Sequence, residues 1–352
     1  MAKGKLYLCG EYAVVDGGAA VISAVDRDLN VHLVPAEMAS ASAYILHPEN
    51  EVPQLEQGHE FYYVTPATYI AWQLLNELGE TETVAELFNG QYALEFESHL
   101  VETDGRKYGL GSSGAVTVAV LDTLLAALEL PREKIYKLAV MSLLLAQDNG
   151  SFGDVACIAC GQLVYYVRPA LSFLARVKAA LLDGEKPQPS IRELVESPWE
   201  GLIIEKLLWP QDIDARIGWT GSPASSAALV NSVRSYKLDH SAEYQQFIEK
   251  STAIAQDMRR ACHNANTEDF LDAYARASAL MVHFSRINNG YMETLLLEKL
   301  RTIAESLGYI AKFSGAGGGD CGIALAPTDA KAAALEQAWS DHGISAMNWK
   351  LL

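Results

Sequence analysis

The chain has 352 residues, about half of them apolar, enough to bury a sizeable core and to divide into two lobes of ordinary size. Its 44 acidic side chains outnumber 27 basic ones, giving a formal net charge of -17 that disfavours nucleic acid and anionic membrane surfaces as partners. Five thinly spread cysteines do not read as a secreted disulfide framework, so a reducing, cytoplasmic setting is expected.

The opening segment MAKGKLYLCGEYAVV is interrupted at Gly10 and Glu11 and fails as a signal peptide. In it Lys3, Lys5, Glu11 and Tyr12 alternate with apolar residues on a strand-like stretch, where each could also be a solvated or rim position. LNVHLVP and YALEFES, with a turn signal at Asp16-Gly17-Gly18, predict further strands of a mixed or antiparallel sheet. Residues 68–79 carry apolar side chains at helical spacing and stop at Gly79. Two helices that are apolar around most of their circumference are predicted near residues 115–130 and 134–147; the first is broken by Asp122 and Glu129 and is too short to span a bilayer.

Just ahead of the first of these stands Gly109-Leu110-Gly111-Ser112-Ser113-Gly114-Ala115. Glycines allow close approach of backbone to ligand, and a helix N-terminus entered through such a loop offers unpaired N–H groups to an anion such as a triphosphate. The alternative is a turn that only caps a buried helix. The pattern is neither G-x-x-x-x-G-K-[ST] nor G-x-G-x-x-G.

Next, Asp148-Asn149-Gly150-Ser151-Phe152-Gly153-Asp154 sets two carboxylates, an amide and a hydroxyl between strongly apolar segments. Polar groups in such surroundings are costly unless paired and tend to mark sites, although an ordinary turn with an Asx cap is the alternative. Cys157 and Cys160 form a C-x-x-C inside an apolar run with no second pair, which reads as buried small residues rather than a metal or redox site. Residues 169–198 are richer in charge and proline and are expected to be a linker or peripheral excursion, giving domains 1–190 and 191–352.

Beyond it lie a strand (DARIGWTG), amphipathic helices near residues 242–264, 267–285 and 292–307, and the strand pair AKFSG and CGIALAP. A last helix and the short strand SAMNWKLL follow, so the fold class is α+β. Between the paired strands, Ser314-Gly315-Ala316-Gly317-Gly318-Gly319-Asp320 has almost no side chains. Hairpin loops rarely need so many glycines, so backbone contact with a ligand competes here with a mobile linker.

KLYLCGEYAVVDGGAAV, KYGLGSSGAV and FSGAGGGDCGIAL together resemble the three signature motifs of the GHMP kinases, in order and across essentially the whole chain. Tyr12 stands where many members have histidine, no proline precedes the second motif, and Gly114 replaces an alanine. These departures, with DNGSFGDVA and GWTGSPASSAALV, resemble the branch of that superfamily that acts on phosphomevalonate.

The resemblance implies a two-lobe fold, ribosomal-S5-like then ferredoxin-like, with ATP and acceptor meeting in the cleft. It implies that Gly109, Leu110, Gly111, Ser112, Ser113, Gly114 and Ala115 wrap the ATP phosphates, with Ser112 or Ser113 on Mg²⁺. Gly315, Ala316, Gly317 and Gly318 would shape the cleft beside them. Asp154 matches the aspartate many members use at the catalytic centre, Lys5 the lysine of the first motif, and Ser151 a serine near the transferred group. With a phosphate as acceptor, Lys5 and Lys107 are expected to screen anion repulsion while Asp154 orients Lys5 or the acceptor. Acceptor contacts are expected from Tyr12, Ser151, Ser222, Ser225 and Ser226, the serines having helix capping as their alternative. Mevalonate or homoserine phosphorylation, a decarboxylase on the same fold and a non-catalytic nucleotide sensor are the competing readings. A homodimer is compatible with the sequence.

Overall fold

A strand of 17 residues organises the first lobe. In the computed structural model, which describes residues 1–48, 53, 58–146, 150–182, 189–222, 226–288, 292–327 and 331–352, β1 (Ala2–Cys9) runs antiparallel to this strand, β2 (Ala19–Pro35). On its other edge β2 takes β5 (Val164–Val167) at residues 19–22 and β4 (Tyr92–Ser98) at residues 29–35. The short β3 (Tyr44–Ile45) extends the sheet beyond β4, and β6 (Ile203–Lys206) extends it beyond β5. The gap between β5 and β4 is filled by the end of the chain: Leu352 N–H donates to Ala24, Asp26 N–H to Lys350, and Leu351 bridges Val25.

The burial of β2 follows this arrangement. Residues 19–25 are buried on both faces, whereas beyond Asp28 the strand alternates, with Leu29 and Val31 inward and Asn30 and His32 outward. The helices α1 (Val64–Leu78), α2 (Thr81–Leu87), α3 (Ser112–Leu124), α4 (Arg132–Ala146) and α5 (Gly153–Cys160) follow the early strands, and α3 and α5 pack directly on β1 and β2. The predicted 115–130 helix ends at Leu124; a 3-10 turn over Ala126–Leu128 follows, Glu129 closes it with φ 46°, and Pro131 disfavours helical backbone at Leu130. Arg132 at the start of α4 then grips Asp122 of α3 through two bonds of 2.7 and 3.1 Å.

The predicted linker is structured where described. It contains α6 (Leu171–Leu182) and α7 (Ile191–Glu196), which bury Leu174, Val177, Leu181, Ile191 and Leu194 against the first lobe. Their charges lie on exposed faces, and α7 starts with a capping box in which Ser190 and Glu193 satisfy each other's backbone N–H groups. The chain leaves the first sheet after Lys206 and enters the second at Asp214, later than the boundary expected at residue 190.

The second lobe is built from β7 (Asp214–Trp219), α8 (Ser226–Asp239), α9 (Ser241–His263), α10 (Thr267–Ile287), α11 (Leu295–Ser306), β8 (Ile310–Phe313), β9 (Cys321–Ala326), α12 (Ala332–Ser340) and β10 (Ser345–Met347). Its antiparallel sheet has the order β10-β7-β9-β8, the split β-α-β-β-α-β arrangement of ferredoxin-like domains. Only the first part of SAMNWKLL belongs to this sheet; the rest crosses back to β2. Helix α9 also packs on β2, so the lobes share a continuous core. No helix among the described residues is long and apolar enough to cross a membrane, and the five cysteines are free.

Candidate active site

Lys5 and Tyr7 lie two apart on β1 and therefore face the same side, toward the N-termini of α3 and α5. The Lys5 ammonium is buried and donates to the Gly109 carbonyl at 2.9 Å, while the Lys5 backbone N–H donates to Leu110 at 3.0 Å. The glycine-rich loop is thus stitched to β1 at two consecutive residues. Gly111 sits at the N-cap of α3 with φ 81° and supplies no side chain, so the first turn of α3 keeps its N–H groups free of a side-chain cap. The Ser112 and Ser113 side chains are half-buried at this turn.

Helix α5 brings its own N-terminus to the same place. Phe152, with φ 57°, turns the chain into it, and Asp154 in its first turn is half-buried. A Cβ added to Gly114 would lie 3.5 Å from Asp154 Oδ2, so the carboxylate sits beside the first turn of α3. Gly153 admits no side chain, because a Cβ there would lie 2.8 Å from the Tyr7 hydroxyl. That hydroxyl pairs with Ser151 Oγ at 3.3 Å, and the Ser151 carbonyl accepts from Tyr166 at 2.7 Å. Burial, reinforced by the neighbouring Asp154 charge, pushes the Tyr7 phenol well above its ordinary range, so it stays protonated. No ion pair joins Lys5 to Asp154 among the described residues, so of the two expected roles of Asp154, orienting Lys5 or the acceptor, the first has no direct contact here; the Gly109 carbonyl holds the ammonium.

The second glycine loop closes over this group from the other lobe. Ser314 Oγ accepts from the Tyr7 backbone N–H at 2.7 Å, and the Tyr12 hydroxyl donates to the Ala316 carbonyl at 2.5 Å. Gly315, Gly317 and Gly318 have φ between 72° and 77°. Asp320 reaches Gly109, and its carbonyl accepts from both the backbone and the hydroxyl of Thr220, while its N–H donates to Ser222. A cavity of about 140 Å³ lies between the lobes, bounded by Tyr7, Glu11, Tyr12, Ser151, Gly315 and Ala316, with Val14 and Val15 on one wall.

Most of the residues singled out from the sequence therefore meet here: Lys5, Tyr12, the 109–115 loop, Ser151, Asp154 and the 314–320 loop. Lys107 does not join them; it is exposed, and its backbone bridges Val101 in a turn ahead of the loop. Its neighbour Arg106 donates to the Gly221 carbonyl at 2.9 Å and lies 4.9 Å over the Trp219 ring. Ser222 is exposed and meets the cluster through its backbone carbonyl. Ser225 and the side chain of Ser226 lie outside the described residues.

Sequence reasoning did not single out the Glu11–Lys312 pair. Lys312 on β8 is buried with Glu11, donates to Glu11 Oε1, and also donates to the Phe313 carbonyl at 2.7 Å. The available signal was a lone lysine inside an apolar strand, a residue that rarely stays buried without a partner.

No set of three or more His, Cys, Asp or Glu side chains converges as a metal site among the described residues. The Ser112, Ser113 and Asp154 oxygens fit a hard cation such as Mg²⁺, which takes few protein ligands and draws the rest from phosphates and water.

The family model for the N-terminal domain of GHMP kinases matches residues 68–162, and that for the C-terminal region matches residues 258–345. A phosphomevalonate kinase of Streptomyces sp. (strain CL190) is 32% identical over 97% of this chain and 94% of its own length. Several solved structures cover the whole chain, among them the following two. The Lin0012 protein from Listeria innocua matches with a TM-score of 0.85 and 30% identity over 96% of its chain. Streptococcus pneumoniae phosphomevalonate kinase, solved with phosphomevalonate and AMPPNP, matches with a TM-score of 0.80 and 27% identity over 98% of its chain.

Proposed function

The chain belongs to the GHMP kinases, and from that premise we propose that it transfers the terminal phosphoryl group of ATP to the phosphate of phosphomevalonate, giving diphosphomevalonate and ADP. The observation that carries the acceptor assignment is the 32% identity, spread over 97% of the chain, to a phosphomevalonate kinase. The geometry supports the chemistry: an uncapped helix N-terminus, a buried lysine and a half-buried aspartate converge beside one inter-lobe cavity.

Phosphoryl transfer needs positioning and charge neutralisation more than covalent help from the protein. The first-turn N–H groups of α3 and the backbone of residues 109–111 hold the nucleotide phosphates, and Lys5 adds fixed positive charge beneath that loop. The Ser112 or Ser113 hydroxyl would hold Mg²⁺, which would supply further neutralisation when bound. One acceptor-phosphate oxygen forms the new bond to the γ-phosphorus as the bond from that phosphorus to the β,γ-bridging oxygen breaks. The second pKa of a phosphate monoester is about 6, so the attacking oxygen is already largely ionised at neutral pH and no general base is required. Asp154 then orients the acceptor and the metal rather than removing a proton. Lys107, exposed ahead of the loop, lies on a long flexible stem, the side-chain type that can reach an incoming phosphate.

The test is ADP release at neutral pH with ATP and Mg²⁺, run in parallel with phosphomevalonate, mevalonate and no acceptor. Turnover with phosphomevalonate alone is expected. Turnover with mevalonate alone overturns the acceptor, and ATP binding without turnover supports a sensor instead.

A further inference from the structure

Three buried tyrosines converge on Ser151, just ahead of α5. Tyr136 and Tyr166 are fully buried, and their hydroxyls lie 2.9 Å apart. Because Tyr166 donates to the Ser151 carbonyl at 2.7 Å, the proton between the two phenols comes from Tyr136. Tyr7 reaches the same residue from β1, its hydroxyl 3.3 Å from Ser151 Oγ. The segment held in this way includes Phe152, whose φ of 57° is strained for a residue with a side chain and persists only where its surroundings fix it.

The direction of the Tyr7–Ser151 bond follows from what else each hydroxyl can do. The Tyr7 hydroxyl makes no other hydrogen bond among the described residues. A Cβ on Gly153 would meet that hydroxyl, the Ile22 side chain and the Tyr166 ring together, so apolar groups crowd the phenol on that side. Burial keeps the phenol protonated, and a buried donor left unmade is costly, so Tyr7 donates and Ser151 Oγ accepts. Ser151 Oγ also accepts from the Gly153 N–H at 3.4 Å. A hydroxyl oxygen has two acceptor positions, and here both are taken. Ser151 donates to nothing else among the described residues, is half-buried and lines the inter-lobe cavity, so its own proton is left for a ligand there.

Resting on the acceptor proposed above, we infer that Tyr7 is a positioning residue that holds the Ser151 hydroxyl as a donor only, and so biases the site toward an acceptor oxygen that carries no proton. A phosphate oxygen is such a partner, and a hydrogen bond to it is charge-assisted. An acceptor hydroxyl must also place its own proton, and a donor-only serine offers it nothing. The phenol, the serine and the phosphate then form one chain of bonds that polarise one another. Tyr166 and Tyr136 fix the Ser151 carbonyl and with it the place from which the hydroxyl donates.

The experiment is a double-mutant cycle of Tyr7→Phe and Ser151→Ala, read as kcat/KM for phosphomevalonate, with each variant checked for cooperative thermal unfolding. Ser151→Ala is expected to lose roughly 10- to 10²-fold, the scale of a hydrogen bond to a charged group. Tyr7→Phe is expected to lose about 5- to 10-fold alone and less than about 2-fold when Ser151 is already alanine, because the phenol acts only through that serine. Losses that multiply, as a packing role for the phenol would give, overturn the inference, and so do wild-type kinetics in Tyr7→Phe. Where Tyr7→Phe does not fold, calorimetric binding to Ser151→Ala decides. Phosphomevalonate binding weakened by about 10-fold or more, with mevalonate binding changed by less than about 2-fold, supports the inference; equal weakening of both, or of neither, overturns it. Failure of wild type to turn over phosphomevalonate at all instead overturns the acceptor assignment, a separate result read in the same assay.

Discussion

Asp320 of the second glycine loop lies directly against Gly109 of the first, so close that a Cβ on Gly109 would sit 2.5 Å from the Asp320 carboxyl carbon. Gly109 also has φ 80°, a region that costs an L-residue roughly 1–3 kcal/mol. Gly109→Ala is therefore expected to push the two loops apart. We expect a lowered melting temperature and a loss of kcat/KM of at least about 10²-fold, the scale of misplacing a positioned reactant by about 1 Å. Thermal unfolding and the ADP-release assay check it, and near-wild-type kinetics would show that the loops need not touch.

Asp154→Asn separates two mechanisms. If the acceptor is an already ionised phosphate, losing the charge disturbs orientation only, and the chemical step should slow by less than the roughly 10²–10⁴-fold typical of a lost general base. Single-turnover rates isolate that step from binding and release. A larger loss, with a pH–rate profile that loses its acidic limb, would restore Asp154 as a base.

Lys312→Met leaves the Glu11 carboxylate buried and uncompensated, which typically costs about 3–5 kcal/mol, whereas replacing both members of such a pair with apolar residues is often neutral. The urea midpoint of Lys312→Met should therefore fall well below that of Glu11→Leu/Lys312→Met. The reverse order would mean that the pair is more hydrated than its burial indicates.

At the outward half of β2, Asp28 accepts from His99 at 3.0 Å and from Lys3 at 3.3 Å. Partial burial opposes ionisation, but these two hydrogen bonds outweigh it and hold the carboxyl below its ordinary value. The folded pKa lies below the unfolded value of about 3.9, so the contribution is fully present above that pH and is lost as pH falls through the folded pKa. Urea midpoints measured from pH 5 downward should show wild type losing its advantage over Asp28→Asn in that acid window. A constant difference across the window would place the effect in packing rather than in charge.

Much of this was legible from local chemistry. The 109–115 loop stands out because a glycine pattern runs directly into an apolar helix, and element order points to an α+β layer, the ferredoxin-like lobe being what the family resemblance implied. Of the linker or peripheral excursion expected at residues 169–198, the helices there were not read because charge and proline were weighed as composition, while the Ser190-x-x-Glu193 capping box and the inward Leu174, Val177 and Leu181 spacing mark helices. The Glu11–Lys312 pair was hidden for another reason. Its members are 301 residues apart, and although Lys312 stands out inside an apolar strand, nothing local names Glu11 as its partner until the two lobes close.

The last strand-like residues have a consequence for how the molecule is made. Leu351 occupies the edge of β2 between β5 and β4, beside Val25, so a sheet begun by residues 2–35 acquires its final partner only when the segment near residue 350 emerges. Contacts of such sequence separation delay folding and leave an unpaired edge exposed in the interval. The first lobe is thus not an autonomous unit during synthesis. Halves of the chain expressed separately would each carry an unfinished surface, and assembly of the active cleft and completion of that sheet are one event.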